Sequence, residues 1–386
     1  MSKFIQWNYP TSMTIGAGCL GTLGDECKAV GISDALVVTD PGMMNLPMVD
    51  AVIRLCNQNH IHCQMFSQFA SNPTNDDVAL GVKEFNLGKF DGVIALGGGS
   101  SIDMAKAIAF MSGQSESIWT FEDIGDNWKQ AKLSGISPVI AIPTTAGTGS
   151  EVGRAAVITC PEQRLKKVIF HPEMLPKKVL LDPELTAGLP QTLTATTGMD
   201  ALSHSLEAYC SASYHPMADG IALQAMKLVK DYLPKAFNDG NDIDARTHML
   251  VASSMGATAF QKGLGAMHAI AHSLGALYDK HHGLLNAILM PYVLKANQSA
   301  IEDKLTVASK HLDLPEQNFE SFLAWVYELR ALLEIPNTLA EIGIDIKEAT
   351  LVGEMAERDP SASGNPVAFS SLQYSEIFTK AVEGEL

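Results

Sequence analysis

An aspartate and a histidine stand four residues apart in the stretch TTGMDALSHSLEAY, residues 196–209. At helical spacing, Asp200 and His204 lie one above the other on the same face of a helix. Side chains stacked in this way can bind a divalent metal, hydrogen-bond to each other, or cap and pack. The choice among these roles depends on which other donor groups the chain supplies.

Histidines are concentrated in the stretch GLGAMHAIAHSLGALYDKHHGLLNA, residues 263–287. His268 and His272 repeat the four-residue spacing on a predicted helix, and His281 and His282 follow at the next helix break. A single histidine on an apolar helix face is usually a core residue, but two spaced pairs and a third cluster favour a metal site. Imidazoles with one carboxylate suit Fe²⁺ or Zn²⁺, and the scattered cysteines form no CxxC pair that would supply thiolates.

A nucleotide site is predicted in the first half, where VIALGGGSSIDMAK ends a strand and opens a helix. Gly97, Gly98 and Gly99 permit positive φ angles and a close approach of a ligand to the backbone. The helix that begins near Ser100 and Ser101 directs its free N–H groups at an anion, and a pyrophosphate is the usual occupant. GGGS differs from the GxGxxG fingerprint, so a plain tight turn is the alternative.

Two further loops follow predicted strands and support the nucleotide interpretation. PTTAGTGSEVG, residues 143–153, offers hydroxyl and backbone N–H groups to phosphate. TDPG, residues 39–42, places Asp40 at the end of the first strand. Its carboxylate can accept hydrogen bonds from a ribose 2′-OH and would repel a 2′-phosphate. The alternative role for Asp40 is that of a turn residue.

Strands and helices alternate in the first half of the chain. The predicted strands are 34–40, 62–66, 91–100, 137–145 and 177–182, with helical periodicity at 44–58 and 75–89. Nearly continuous apolar strands are typical of a parallel sheet covered on both faces. From about residue 190 onward, stretches rich in Ala, Leu and Met predict helices alone. We therefore expect a doubly wound, mostly parallel α/β dinucleotide-binding domain at 1–187 and an all-helical metal-binding and catalytic domain at 188–386.

The overall composition excludes several classes of partner. The 386 residues include 27 Lys and Arg against 43 Asp and Glu, a net charge of −16, which argues against nucleic acid or an anionic membrane. No apolar run approaches the ~20 residues that cross a bilayer, and the first residues, MSKFIQWNYP, lack the apolar segment of a signal peptide. These features predict a cytoplasmic protein with a small-molecule site.

Four signatures together resemble the iron-containing (group III) alcohol dehydrogenases. They are GGGSSIDMAKAIA, IPTTAGTGSEV, TGMDALSHSLEAY and GLGAMHAIAH followed by HHGLLNAILMP, in the family's order and spacing over nearly the whole chain. The resemblance implies the dehydroquinate synthase-like/iron alcohol dehydrogenase fold, with an α/β NAD-binding domain, a helical domain and the metal in the cleft. It implies NAD and Fe²⁺, or Zn²⁺ or another divalent ion, as cofactors. A homodimer or larger homo-oligomer is the expected assembly.

The resemblance also assigns roles to single residues. The metal ligands fall on Asp200, His204, His268 and His282. His272 matches a histidine near the metal and is the candidate for relaying the alkoxide proton, with an orienting role as the alternative; His281 is a neighbour of the site without an assigned role. The residues expected to contact the cofactor are Asp40, Asn72, Gly97, Gly98, Gly99, Ser100, Asp103, Thr144, Thr145 and Lys166.

The implied function is a metal-dependent NAD(H) alcohol dehydrogenase that interconverts a small primary alcohol and its aldehyde by hydride transfer. A glycerol-type polyol dehydrogenase of the same superfamily and a non-catalytic nucleotide-binding protein are the alternatives. Where many members read AFSNxGLG, this chain reads AFQKGLG, which places Gln261 and Lys262 beside the expected substrate cleft. Lys262, with Gln261 as a second contact, could hold the carboxylate of an ω-hydroxy acid such as 4-hydroxybutyrate. Otherwise Lys262 is a solvated surface charge, as most lysines are.

Overall fold

The computed structural model describes residues 11–163 and 165–386. Residues 1–10, on which the signal-peptide prediction rests, lie outside the described residues. The described chain forms two compact units, one of residues 11–145 and 149–188 and the other of residues 146–148 and 189–386. The boundary predicted between residues 187 and 188 lies next to the start of the long helical segment at Leu189. The short loop 146–148 also groups with that segment.

The first unit is built around a parallel sheet. Its strands are β1 (Ser12–Ile15), β2 (Asp34–Val38), β3 (His62–Phe66), β4 (Gly92–Gly97), β5 (Val139–Pro143), β6 (Ala155–Cys160), β7 (Leu165–Phe170) and β8 (Lys178–Leu181). The parallel sheet has the order β1-β8-β5-β4-β2-β3, and β6 and β7 form a separate antiparallel hairpin. The helices of this unit are α1 (Leu23–Ala29), α2 (Pro47–Gln58), α3 (Asn75–Gly88) and α4 (Gly99–Met111).

The apolar strands occupy the middle of this sheet, as their sequences predict. Every residue of β4 and β5 is buried, and so are all but the first of β2. This burial confirms the doubly wound α/β class, because strands covered on both faces need apolar side chains on both. From β2 the chain moves to β3 on one side of it and then to β4 on the other. Such a reversal creates the crevice at the carboxyl ends of the strands where ligands bind in open α/β sheets.

The second unit is helical. Its helices are α5 (Gln191–Cys210), α6 (Pro216–Asn238), α7 (Ile243–Ala259), α8 (Ala266–Tyr278), α9 (His282–His311), α10 (Phe319–Leu332), α11 (Ala349–Arg358) and α12 (Ser371–Glu383). Residues 190–386 are all described and contain no strand, which confirms the expected helical class. Among the described residues, none of the helices combines the length and apolar character needed to cross a bilayer.

Helix α5 is the central helix of this unit. It packs against α6, α7 and α9, and all residues from Thr194 to Cys210 are buried. A helix buried on all sides must satisfy the polar groups it carries with partners inside the protein. The polar side chains of α5 therefore need hydrogen-bond or ionic partners inside the protein.

Candidate functional site

Three helices bring one aspartate and three histidines together. Asp200 and His204 lie one turn apart on α5, His268 lies in the first turn of α8, and His282 begins α9. One ligand atom from each of these side chains lies within 4.8 Å of the others. The first three residues are buried and His282 is partly exposed. The structure thus assembles the predicted set from residues up to 82 positions apart in the sequence (200 to 282).

A glycine allows α9 to start close enough to α5. A Cβ atom at Gly283 would lie 2.3 Å from the Thr196 carbonyl oxygen and 3.0 Å from the Cβ of Asp200. Any larger residue would push the first turn of α9 away from α5, because backbone atoms cannot yield as a flexible side chain can. The glycine that follows the His281–His282 pair in the sequence therefore positions His282 beside Asp200.

Glu207 contacts the Nδ1 side of the His268 ring, away from the Nε2 atom that faces the ligand cluster, and no local pattern in the sequence pointed to this residue. Its Oε2 atom lies 2.6 Å from His268 Nδ1 and accepts the N–H of Gly265 at 2.7 Å, and its Oε1 atom accepts the N–H of Met267 at 2.7 Å. Burial raises the pKa of Glu207 to about 7, against the lowering effect of these N–H donors. Burial also lowers the pKa of His268 well below its usual range, which favours the neutral imidazole that a metal requires.

Asn286 lies at the centre of the same cluster and was also missed. Its Nδ2 atom lies 2.9 Å from Asp200 Oδ1, 3.1 Å from His282 Nε2 and 3.3 Å from His268 Nε2. Its Oδ1 atom is buried without a hydrogen-bond partner among the described residues. Asn286 follows His282 by four residues, so helical spacing was the available signal.

The donor set fits a divalent cation. Three imidazole nitrogens and a carboxylate oxygen converge, and the carboxylate supplies the negative charge that offsets a cation. The residues present therefore fit Fe²⁺ or Zn²⁺.

His272 lies beside this cluster and has a carboxylate partner of its own. Its Nδ1 atom is 3.0 Å from Asp359 Oδ2, and its ring stacks on that of His282 with centroids 5.1 Å apart. Burial alone would raise the pKa of Asp359, but His272 and the hydrogen bonds from Ser361 outweigh it and lower the pKa. No local spacing in the sequence could have revealed Asp359, since it lies 87 residues from His272. His281 precedes α9 as its N-cap residue.

The glycine turn of the first unit, residues 97–99, connects β4 to α4. Gly97 ends β4 with φ at +147°, and a Cβ atom there would lie 2.4 Å from Ser101 Oγ. Gly98 is the N-cap of α4 and Gly99 its first residue, so the free N–H groups of the helix start within the turn. Thr144 donates its backbone N–H to the Gly97 carbonyl oxygen at 3.0 Å, which ties the loop after β5 to the turn.

Most of the remaining predicted cofactor residues lie in loops that follow strands of the parallel sheet, and Lys166 lies on the separate β6–β7 hairpin. Asp40 follows β2, accepts the N–H of Gly42 at 3.0 Å and lies 3.5 Å from Ser101 Oγ, so it is a turn residue that also faces the glycine turn. Lys166 on β7 donates to Asn72 Oδ1 at 2.7 Å. In addition, Ser100 Oγ donates to the Ser71 carbonyl oxygen at 2.5 Å, and Thr145 Oγ1 lies 3.3 Å from the position of a Cβ on Gly98.

Asp103 is engaged by the protein itself. Its carboxylate accepts hydrogen bonds from Ser150 Oγ at 2.5 Å and from the Val157 N–H at 3.0 Å, and it pairs with the buried Lys106 at 3.1 Å. Lys106 also donates to the carbonyl oxygens of Ser150 and Ala155. The arrangement makes Asp103 a residue that fixes the segment 150–157 onto α4, where the sequence analysis expected a direct cofactor contact.

The structure corrects the interpretation of Lys262. Its side chain is fully buried, so it is not a solvated surface charge. Its Nζ atom forms an ion pair with Asp219 and donates to the Tyr209 carbonyl oxygen at 3.0 Å. Because its charge is already matched inside the helical unit, Lys262 is also unsuited to anchor a substrate carboxylate. Gln261 donates to the Thr258 carbonyl oxygen at 2.9 Å.

Comparison with known proteins places the chain in one family. Residues 10–183 match the model of iron-containing alcohol dehydrogenase, and residues 194–382 match the C-terminal part of the Fe-containing alcohol dehydrogenase family. A 4-hydroxybutyrate dehydrogenase from Cupriavidus necator is 35% identical over 387 residues, covering 97% of this chain and 99% of that protein. The chain belongs to the iron-containing alcohol dehydrogenase family. It is an oxidoreductase that acts on alcohols.

Solved structures of the family support the same fold and cofactors. A 1,3-propanediol oxidoreductase superimposes with a TM-score of 0.92 at 32% identity, covering 98% of this chain and 100% of that one. A sulfoacetaldehyde reductase from Bifidobacterium kashiwanohense, solved in complex with NAD⁺, has a TM-score of 0.88 at 26% identity, with 99% and 100% coverage. Iron-containing alcohol dehydrogenases use NAD and a divalent metal, and the convergence of Asp200, His204, His268 and His282 is in keeping with this.

Proposed function

We propose that this iron-containing alcohol dehydrogenase interconverts a small primary alcohol and its aldehyde with NAD(H), at a metal ion bound by Asp200, His204, His268 and His282. The observation that carries the proposal is the convergence of these four donor atoms within 4.8 Å inside a buried part of the helical unit. Burial of a carboxylate and of imidazole lone pairs costs free energy, and a bound cation would offset that cost. Fe²⁺ is the proposed ion, with Zn²⁺ as the competitor for the same donors.

The metal ion, the cofactor and the side chains have different roles in the proposed reaction. When bound, the divalent ion supplies the Lewis acidity that favours the alkoxide form of the substrate hydroxyl, and NAD supplies the hydride acceptor. His272 is held through Nδ1 by Asp359, which leaves its Nε2 atom for exchange of the hydroxyl proton. The stack of His272 on His282 keeps this nitrogen beside the ligand set.

The geometry of the glycine turn supports the proposed cofactor contacts. The backbone N–H groups of Gly98, Gly99 and Ser100 lie at the N-terminus of α4 and are free to donate to a pyrophosphate. A helix N-terminus also attracts negative charge. Asp40 faces the same turn and is assigned to the ribose hydroxyls. Four further residues are assigned to cofactor binding beside them: Asn72, Thr144, Thr145 and Lys166.

The substrate we favour is an uncharged primary alcohol. Lys262 is the cation that would have selected a carboxylate, and it is buried in an ion pair with Asp219. The second candidate is 4-hydroxybutyrate, which is supported by the 35% identity to the 4-hydroxybutyrate dehydrogenase.

A substrate panel with measured metal content tests the proposal. Ethanol, 1-butanol, 1,3-propanediol, glycerol and 4-hydroxybutyrate are each supplied with NAD⁺ under anaerobic conditions, and NADH formation is recorded. The highest kcat/KM is expected for an uncharged primary alcohol. A clear preference for 4-hydroxybutyrate would favour the second candidate. Absence of turnover with every alcohol and with the matching aldehydes and NADH would refute the proposed function.

We also propose that the protein is a cytoplasmic homo-oligomer, a dimer or a larger closed assembly. The six cysteines are free thiols in the structure, in keeping with a reducing compartment. Closed symmetry is the usual form of soluble homo-oligomers. Sedimentation equilibrium of the purified protein tests the assembly, since a monomer at micromolar concentration would contradict it.

A further inference from the structure

Helix α8 begins without a side-chain cap of its own. Its N-cap residue is Gly265, which has no side chain to accept the first free N–H groups of the helix. Those groups are satisfied from elsewhere in the unit. Glu207 on α5 accepts the N–H of Gly265 and of Met267, each at 2.7 Å, and Asn365 Oδ1 accepts the N–H of Ala266 at 3.1 Å.

The same carboxylate also contacts the imidazole of His268. Its Oε2 atom lies 2.6 Å from His268 Nδ1 and also receives the Gly265 N–H. A carboxylate engaged by two backbone donors acts as an acceptor, so the hydrogen of the neutral imidazole belongs on Nδ1. The lone pair is then on Nε2, the nitrogen that lies 3.3 Å from Asn286 Nδ2 within the ligand cluster.

We propose that Glu207 is a positioning residue of the metal centre, which selects the metal-binding tautomer of His268 and anchors the first turn of α8 with one carboxylate. The inference rests on the proposed metal site. A carboxylate that orients a histidine ligand raises the basicity of that ligand and fixes its ring. Here the rotation of the ring and the position of its helix are set together, because the ring contacts Oε2 and the backbone of the first turn donates to both oxygens of the same carboxylate.

A glutamine cannot replace the carboxylate in this role. The three donors around Glu207 require acceptors at both oxygens, and an amide offers one oxygen and one NH₂ group. With its NH₂ group towards Met267, the glutamine would place a donor against the Met267 N–H donor. With its NH₂ group towards His268, it would demand a lone pair on Nδ1 and so place the hydrogen on Nε2, where it blocks metal binding.

Zn²⁺ affinity of the full-length, metal-depleted protein tests the inference without relying on turnover. The Glu207→Gln variant should bind Zn²⁺ about ten- to a hundredfold more weakly than the parent in competition with a chromophoric chelator. The matched control is Asn365→Ala, which removes a hydrogen bond at the same helix end but leaves the contact to His268. This control should lower the thermal stability and leave the Zn²⁺ affinity equal to that of the parent.

The tautomer of His268 is measured directly by ¹⁵N NMR of the histidine side chains. In the metal-depleted parent, Nδ1 should carry the hydrogen and Nε2 should not, a result that needs no variant to fold. A parent with the hydrogen on Nε2 would overturn the inference, and so would unchanged Zn²⁺ affinity in Glu207→Gln or an equal loss in Asn365→Ala. A parent that does not bind Zn²⁺ would instead contradict the proposed function.

Discussion

Three of the proposed ligands each contact a different kind of group: an amide, a carboxylate and a backbone carbonyl. Asp200 is 2.9 Å from the Asn286 amide nitrogen, His268 is 2.6 Å from the Glu207 carboxylate, and His204 Nδ1 is 3.3 Å from the Gly147 carbonyl oxygen. An imidazole whose Nδ1 faces an acceptor presents Nε2 to the metal. The side chains of Asp200, His204 and His268 are therefore oriented by the protein itself, and removal of one ligand should affect metal binding more than folding.

Replacing a proposed ligand should separate metal binding from folding. In His268→Ala or His282→Ala, we expect loss of most of the bound metal and nearly all NADH formation, because one of four donors is gone. Metal content by mass spectrometry and the circular dichroism spectrum measure the two properties. The control His311→Ala removes an exposed histidine at the far end of α9 and should change neither. Full metal retention in either ligand variant would refute the assignment.

The charge of Asp40 should decide between NAD and NADP. In Asp40→Gly, kcat/KM for NADP should rise relative to NAD, because the repulsion of the 2′-phosphate and the bond to the 2′-OH are lost together. Asp40→Asn is the matched variant, since an amide oxygen can still accept the Gly42 N–H while the charge is removed. Steady-state kinetics with both cofactors measure the ratio. A parent that already uses NADP as well as NAD would show that Asp40 is not the filter.

Loss of the Lys262 charge should destabilise the fold and leave substrate choice unchanged. Lys262→Met leaves Asp219 without its ion-pair partner, at a cost of up to about 3 kcal/mol in the free energy of unfolding, since the Asp219 side chain is 31% exposed and partly hydrated. Chemical denaturation measures this loss, and Lys262→Met with Asp219→Leu should recover part of it. A selective fall in kcat/KM for 4-hydroxybutyrate, with 1-butanol unaffected, would restore Lys262 as a substrate contact.

At the scale of elements, the sequence predicts what local pattern determines and misses what depends on distant partners. The apolar strands β2, β4 and β5 follow from composition alone, because both faces of a parallel sheet are covered. Strand β1 was missed because four residues at a sheet edge carry little apolar signal, and the β6–β7 hairpin because many of its residues are only partly buried.

The candidate site shows the same division. Helical spacing predicts that Asp200 accompanies His204, and it could have added Asn286 to His282. Glu207 and Asp359 act on histidines 61 and 87 residues away, so only the tertiary structure reveals them. The surface prediction for Lys262 was wrong because base rates of exposure say nothing about a partner such as Asp219.

The close approach of α9 to α5 should depend on Gly283. In Gly283→Ala, the added methyl group would lie 2.3 Å from the Thr196 carbonyl oxygen, so α9 must shift and carry His282 away from Asp200. We expect weaker metal binding and a lower Tm. The matched control is Gly220→Ala on α6, where a Cβ meets no atom within 4 Å and the helix propensity of alanine should raise stability slightly. Equal behaviour of the two variants would contradict this account of the glycine.

At the scale of the whole molecule, membership of the family determines the reaction type and leaves the substrate open. Proteins of similar identity to this chain include a 4-hydroxybutyrate dehydrogenase and a 1,3-propanediol oxidoreductase. The ligand cluster and the glycine turn explain what such proteins can share, namely a metal and a nucleotide. The choice of alcohol must depend on residues outside these two sets.

Metal removal and restoration test the central claim most directly. The parent protein is stripped of metal, assayed with NAD⁺ and a primary alcohol from the panel, reloaded anaerobically with Fe²⁺ or with Zn²⁺, and assayed again alongside His268→Ala. We predict that NADH formation is absent from the stripped protein, returns in the parent with one metal ion per chain, and does not return in the variant. Undiminished NADH formation by the stripped parent, or equal recovery in His268→Ala, would contradict a metal-dependent reaction at this cluster.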